Sequence, residues 1–166
     1  MYNNAAYCAQ VKPENAKMPS DAVTIRPLQA EDRAAWGALW KAYLGFYEAE
    51  VTPAIYDNTF ARLIDPAVDT MGCFLAVEGD RPVGLVHTIV HPHNWRIEDV
   101  VYLQDLYADP SVRGKGVGRA LIEAVYAEAD RRGTPSVYWL TQDFNAEARR
   151  LYDRIATLVP FVKYQR

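Results

Sequence analysis

The sequence predicts a single α/β (α+β) domain, on three observations. Strand-like and helix-like patterns interleave along the chain, hairpin turns separate the early strands, and a glycine-rich loop joins a late strand to a helix. The chain has 166 residues, enough for one domain with a core of ordinary size. Residues 1–21 show no periodicity and contain Pro13 and Pro19, so they read as an N-terminal arm, possibly a lid, ahead of a domain at 22–166. The arm has neither a charged n-region nor an apolar h-region, so it does not read as a secretory signal.

The elements follow in order. Residues 23–26 form a short strand ended by Pro27. Glu31 and Asp32 open a helix whose Trp36, Leu39, Trp40 and Tyr43 fall at helical spacing. Thr52 and Pro53 supply an N-cap and a first-turn proline for a second helix, which carries Ile55, Phe60, Leu63 and Ile64 and stops at Asp65-Pro66. Residues 73–78 and 82–90 are strands joined by the turn Gly79-Asp80-Arg81, and His91-Pro92-His93-Asn94 turns the chain into a long strand at 99–108. Val117, Ala120, Leu121, Ala124 and Val125 make one face of a third helix, and Gly133 suits the position just past its end. Residues 136–141 read as a strand. Asn145 then caps a fourth helix with Ala148, Leu151, Tyr152 and Ile155 on one side. Residues 161–164 are a candidate last strand.

Composition excludes several functions. A net charge of −3 lacks the basic excess of a nucleic-acid binder, and mild acidity suits a cationic small substrate. No apolar run reaches the roughly 18 residues of a membrane helix. The two cysteines, Cys8 and Cys73, form neither a disulfide framework nor a metal-ligand spacing, which points to a reducing cytoplasm. His87 and His91 share a strand face but lie too far apart for one ion, and Pro92 separates His93 at a turn, so no metal is expected. These histidines suit a polar acceptor site or a solvated hairpin. Trp36, Trp40 and Tyr43 suit the core or a substrate wall, and Trp95 a wall or an interface.

The chemistry concentrates at residues 112–119, Val-Arg-Gly-Lys-Gly-Val-Gly-Arg. Glycines allow a tight turn with exposed N–H groups, and the helix that follows directs its positive end at the same loop. The result is a site for a phosphate or pyrophosphate. It is not a Walker loop, because Gly116 follows Lys115 where a hydroxyl would hold magnesium. Nor is it a dinucleotide fingerprint, because the spacing is Gly-x-Gly-x-Gly and it comes late in the chain.

With these motifs the chain resembles the GNAT superfamily of N-acetyltransferases. Arg113-Gly114-Lys115-Gly116-Val117-Gly118 matches the family's acetyl-CoA loop, Arg/Gln-x-x-Gly-x-Gly/Ala. The run from Tyr102 to Pro110 is similar to the strand before that loop, and Asn145-x-x-Ala148-x-x-Leu151-Tyr152 is similar to a later family helix. The likeness spans residues 22–164 and is nearest to the histone/polyamine branch.

The resemblance implies a GNAT-type acyl-CoA N-acyltransferase fold, with a mixed, mostly antiparallel central sheet flanked by helices. It implies acetyl-CoA as co-substrate and transfer of the acetyl group to a primary amine, on a polyamine-like molecule or a lysine side chain. The pyrophosphate would sit on the N–H groups of Gly114, Gly116, Val117 and Gly118, with Arg113, Lys115 and Arg119 beside it. The pantetheine arm would lie along Leu106, Tyr107 and Ala108 like an added strand. Asn145 would touch the cofactor, and Tyr152 would sit near the sulfur as general acid. Asp105 or a water chain would act as base, with Glu98 and Asp99 behind it. Gln104 stands where the polyamine enzymes carry glutamate, and an amide cannot accept the proton. Asp105 is also open to a second role, binding a cationic acceptor. The branch further implies a homodimer, some members pairing through C-terminal strands; residues 159–164 have the composition for it. A CoA-binding module with little turnover, and an acyltransferase acting on macromolecules, are the competing function classes.

Overall fold

The computed structural model describes residues 22–166, so the expected arm at 1–21 lies outside the described residues. The elements are β1 (Val23–Pro27), α1 (Arg33–Phe46), α2 (Pro53–Ile64), β2 (Met71–Glu78), β3 (Arg81–His91), β4 (Val100–Ala108), α3 (Val117–Arg131), β5 (Val137–Trp139) and α4 (Ala146–Ile155). One-turn 3₁₀ segments precede α1 and follow β4. The five strands form one sheet in the order β1-β2-β3-β4-β5, antiparallel from β1 to β4, with β5 parallel to β4. This is the mixed, mostly antiparallel sheet flanked by helices that the family resemblance implies.

Each sheet face buries its own core. On one face Trp36, Leu39 and Trp40 of α1 and Phe60 of α2 pack on Cys73, Leu75, Val77 and Leu85. On the other, Val117, Leu121, Ile122 and Val125 of α3 pack on Val83, Val86, Val101 and Leu103, and α4 adds Leu151, Tyr152 and Ile155 at its margin. A bidentate pair fixes the entry to α1: Arg26 donates to both oxygens of Asp32 at 2.6 and 2.9 Å, and the Gln29 N–H donates to the same carboxylate. This partnership holds the Asp32 carboxyl below its ordinary range.

Two strand expectations change. The strand expected at 136–141 shortens to Val137–Trp139, because β4 offers β5 only three partners, Val101, Leu103 and the intervening Tyr102. The strand expected at 161–164 is absent. A strand requires a neighbour to satisfy its backbone, and among the described residues the tail makes only a local bond from Phe161 N–H to the Val159 carbonyl. Its Leu158, Phe161, Val162 and Tyr164 lie exposed.

The register of β4 decides the site. His87 pairs with Asp105 but the next residue, Thr88, pairs with Leu103, so Gln104 is an extra, unpaired residue in a β-bulge. The side-chain faces confirm the slip. Val101 and Leu103 join the α3-side core before the bulge, whereas Leu106 and Ala108 join it afterwards and Tyr107 turns to the α1 side. The ladder between β4 and β5 ends at Leu103 and Trp139, at the bulge, and beyond it no strand among the described residues lies beside the edge of β4 from Gln104 to Ala108.

Candidate active site

At the end of β4 the chain makes the anion loop. Asp109 accepts from Ser111 N–H at 2.8 Å and starts the single 3₁₀ turn. Gly114 and Gly116 both have φ of +77°, a left-handed conformation that favours glycine, and Gly116 is the N-cap of α3. No side chain caps this helix and its first turn has no acidic residue. The first backbone bond into the helix is Ala120 N–H to the Gly116 carbonyl. Among the described residues, therefore, the N–H groups of Gly114, Gly116, Val117, Gly118 and Arg119 have no acceptor. These are the donors an anion needs. Gly84 on β3 brings the loop into place: a Cβ there would meet the Tyr107 carbonyl at 2.7 Å and α3 side chains at 3.3 Å.

The cationic side chains of this loop are each paired with a carboxylate. Lys115 Nζ lies 2.6 Å from Glu78, Arg119 is 2.7 Å from Glu123, and Arg113 is 3.9 Å from Glu147. The Arg113 and Arg119 pairs are exposed and the Lys115 ammonium is half-exposed over a more covered Glu78, so solvent screens these pairs and an incoming phosphate competes with them. Asn145 serves α4 as its cap, accepting from Ala148 N–H at 3.3 Å and donating to Thr141 at 3.3 Å.

Asp105 lies buried on the α1 face of the sheet, beside the bulge. Its Oδ2 is 2.8 Å from His87 Nδ1, and His87 Nε2 is 2.8 Å from Trp36 Nε1. His87 is thus neither solvated nor a metal ligand, and no group of three or more His, Cys, Asp or Glu among the described residues is arranged to hold a metal ion. Tyr43 and Tyr47 pack edge to face at the end of α1, with centroids 5.1 Å apart. Burial, then the charge of Asp105 and a hydrogen bond to it, push the Tyr43 hydroxyl far above its ordinary value. Tyr47 is raised by burial and by Asp105 as well. Both phenols therefore stay protonated donors at any working pH.

Tyr152 lies on α4, at the margin of the α3-side core. Its ring packs against Trp139 at 5.3 Å, and burial followed by the nearby Tyr47 pushes its hydroxyl up to about 12. Tyr47 thus lies within electrostatic reach of both Asp105 and Tyr152. Along the same face Tyr102 stacks on Tyr138 at 5.1 Å, and the Tyr138 hydroxyl is 3.0 Å from His91 Nε2.

Asp105, the edge at Leu106–Ala108 and the loop at 113–119 follow one another on one strand–loop–helix path, and Tyr152 packs at the margin of the α3-side core. The structure does not bring Glu98 or Asp99 to Asp105; both are exposed in the β3–β4 loop, as is Trp95. Trp36 and Trp40 are core residues. Tyr47, Tyr102 and Tyr138 escaped the sequence reading. Tyr43 and Tyr47 fall four apart, on one face of a helical turn, which is the available signal for the first of them.

Comparison with known proteins adds three findings. Residues 36–156 match the model of the Acetyltransferase (GNAT) family. A D-amino-acid N-acetyltransferase of Saccharomyces cerevisiae is 42% identical over 155 residues, covering 92% of this chain and 96% of the relative. Among solved structures, an aminoglycoside acetyltransferase bound to a bisubstrate analogue containing CoA superposes with a TM-score of 0.76 at 18% identity, covering 87% of this chain and 97% of that one. A ribosomal-protein-alanine N-acetyltransferase from Brucella melitensis gives 0.72 at 21%, with the same coverage.

Proposed function

The chain belongs to the GNAT acetyltransferase family and is an N-acetyltransferase, and from that premise we propose that it transfers acetyl from acetyl-CoA to a primary amine held over Asp105. The observation that carries this reading is the unpaired edge of β4, running from the buried Asp105 directly into a loop of free N–H groups. The donor supplies a thioester-activated acetyl group. Gly114, Gly116, Val117 and Gly118 hold its pyrophosphate, with Arg113, Lys115 and Arg119 giving up their surface partners to it, and Asn145 bounds the site at α4. Leu106, Tyr107 and Ala108 offer backbone groups to the pantetheine amides, as an added strand would use them.

Asp105, directly or through one water, takes the proton that an ammonium must lose before it can attack. Backbone N–H groups of the open edge receive the oxyanion that develops on the carbonyl. Tyr152 donates a hydrogen bond to the departing sulfur. A thiol of ordinary pKa, about 8.5, is the stronger acid by roughly 3.5 units, so complete transfer from this phenol is uphill by about 5 kcal/mol. Its role is to stabilise the thiolate as it forms; the proton the thiolate finally takes is the second one, shed by the attacking nitrogen as the tetrahedral adduct collapses to the amide. Tyr152→Phe therefore lowers kcat by about 10- to 100-fold and leaves the acetyl-CoA dissociation constant unchanged. A binding assay beside steady-state kinetics checks this, and a loss confined to affinity would remove Tyr152 from the chemistry.

The acceptor surface supports a cationic amine: Tyr47, Tyr102 and Tyr138 present aromatic faces around a single buried carboxylate. Thiol release in the presence of polyamines, lysine peptides and D- and L-amino acids tests the acceptor class. The yeast relative, named for D-amino acids, makes that arm essential. Turnover with none of these amines, despite CoA binding, would favour a CoA-binding module instead. The buried free Cys73 suits a cytoplasmic location. The exposed apolar tail supports a homodimer, so truncation after Leu158 is expected to shift the sedimentation coefficient from dimer to monomer; an unchanged value would exclude the tail as the interface.

A further inference from the structure

We propose that Trp36 and His87 are positioning residues for the reaction, forming a buried indole–imidazole–carboxylate chain that fixes Asp105. This rests on the reading of Asp105 as the proton acceptor. The chain's polarity follows from its first member. An indole N–H can only donate, so His87 Nε2 accepts it at 2.8 Å. The ring proton is then on Nδ1, which donates to Asp105 Oδ2 at 2.8 Å. A second ring proton would face the indole N–H head on, so His87 orients Asp105 without relaying its proton.

Packing leaves the chain little freedom. Trp36 is fully buried, and Trp40, Phe60 and Tyr56 surround its ring with centroids 5.1, 5.2 and 6.0 Å away. Trp36 and Trp40 both flank the imidazole, at 5.9 and 5.6 Å. His87 is also the last residue of β3 in register with β4 before the bulge, opposite Asp105 itself. The carboxylate therefore sits beside a break in the β3–β4 register and is held by a side chain anchored in the buried aromatic core. One carboxylate oxygen is committed to the imidazole. The Tyr43 hydroxyl also donates to the carboxylate, and a carboxylate oxygen that accepts one hydrogen bond keeps a lone pair for the incoming proton. A core that needed only volume here would avoid three polar groups.

A double-mutant cycle tests this. His87→Leu is expected to lower kcat by about 10- to 100-fold, the scale of misplacing a reacting group, with the acetyl-CoA KM unchanged. In the Asp105→Asn background the same substitution should change kcat less than about twofold, because His87 acts only through Asp105. His87→Asn, whose amide nitrogen can replace Nδ1 as donor, should recover most of the loss. Equal fold losses in both backgrounds would show a structural role and overturn the inference. So would wild-type kcat in His87→Leu when Asp105→Asn is impaired, which leaves the reading of Asp105 intact. Wild-type kcat in Asp105→Asn would overturn that reading instead. If His87→Leu fails to fold, Trp36→Phe, which removes the indole donor and keeps an aromatic ring, completes the same cycle; the Asp105→Asn background then separates its packing cost from its action through Asp105.

Discussion

Gly118→Asp is expected to leave the protein folded and to weaken acetyl-CoA binding by about 100-fold or more. Gly118 is the second residue of α3, where a Cβ meets nothing closer than a Leu151 methyl at 3.5 Å. Replacing a helical glycine recovers about 0.5–1 kcal/mol of backbone entropy. A carboxylate in the first turn adds a favourable interaction with the helix dipole of about 0.3–1 kcal/mol. The folded protein without ligand should therefore melt at the same temperature or slightly higher. The same charge stands among the N–H groups that a pyrophosphate would use, and it repels that anion. Few substitutions separate stability from binding in opposite directions, so calorimetric melting and titration with acetyl-CoA decide the matter together. Unchanged affinity would remove the pyrophosphate from this loop.

Asp105→Asn should lower kcat at neutral pH by about 10²- to 10⁴-fold, the usual scale for a general base. The substitution is isosteric, and the amide oxygen still accepts from His87 Nδ1. A lysine-type amine has a pKa near 10.4, so freeing it at pH 7 costs about 4.6 kcal/mol. With no acceptor in the site, the variant depends on amine deprotonated in solution. Its rate should rise about tenfold per pH unit until the amine titrates, and the native enzyme should rise less steeply. Thiol release measured from pH 7 to 10 checks both statements. Parallel profiles of equal height would assign the carboxylate to acceptor binding or to structure.

The glycine loop, the helix caps and the order of strands were legible because their causes are local. Glycine's left-handed freedom, Pro53 in a first helical turn and the asparagine cap at Asn145 act within a few residues. The surroundings of Asp105 were not legible, because they join residues 51 and 18 positions apart. No period in the sequence says that an α1 indole will reach a β3 imidazole. The bulge lies between these cases. Apolar residues occupy odd positions at Val101 and Leu103 and even positions at Leu106 and Ala108, so the change of parity marks an extra residue near Gln104. The tail failed as a strand for a further reason: its composition was right, but a strand is a property of two segments.

That extra residue has a consequence for how the protein tolerates change. Removing Gln104 would restore simple alternation: Val101, Leu103, Leu106 and Ala108 would all keep their core face, and Asp105 and Tyr107 would keep theirs. The hydrophobic core would be unharmed. What is expected to vanish is the stop of the β4–β5 ladder at Leu103 and Trp139, and with it the open strand edge. The cleft is thus encoded by chain length at one point rather than by the identity of the residues lining it. Substitutions there are expected to be graded in their effects, whereas a deletion of one residue would give a stable protein with a closed sheet.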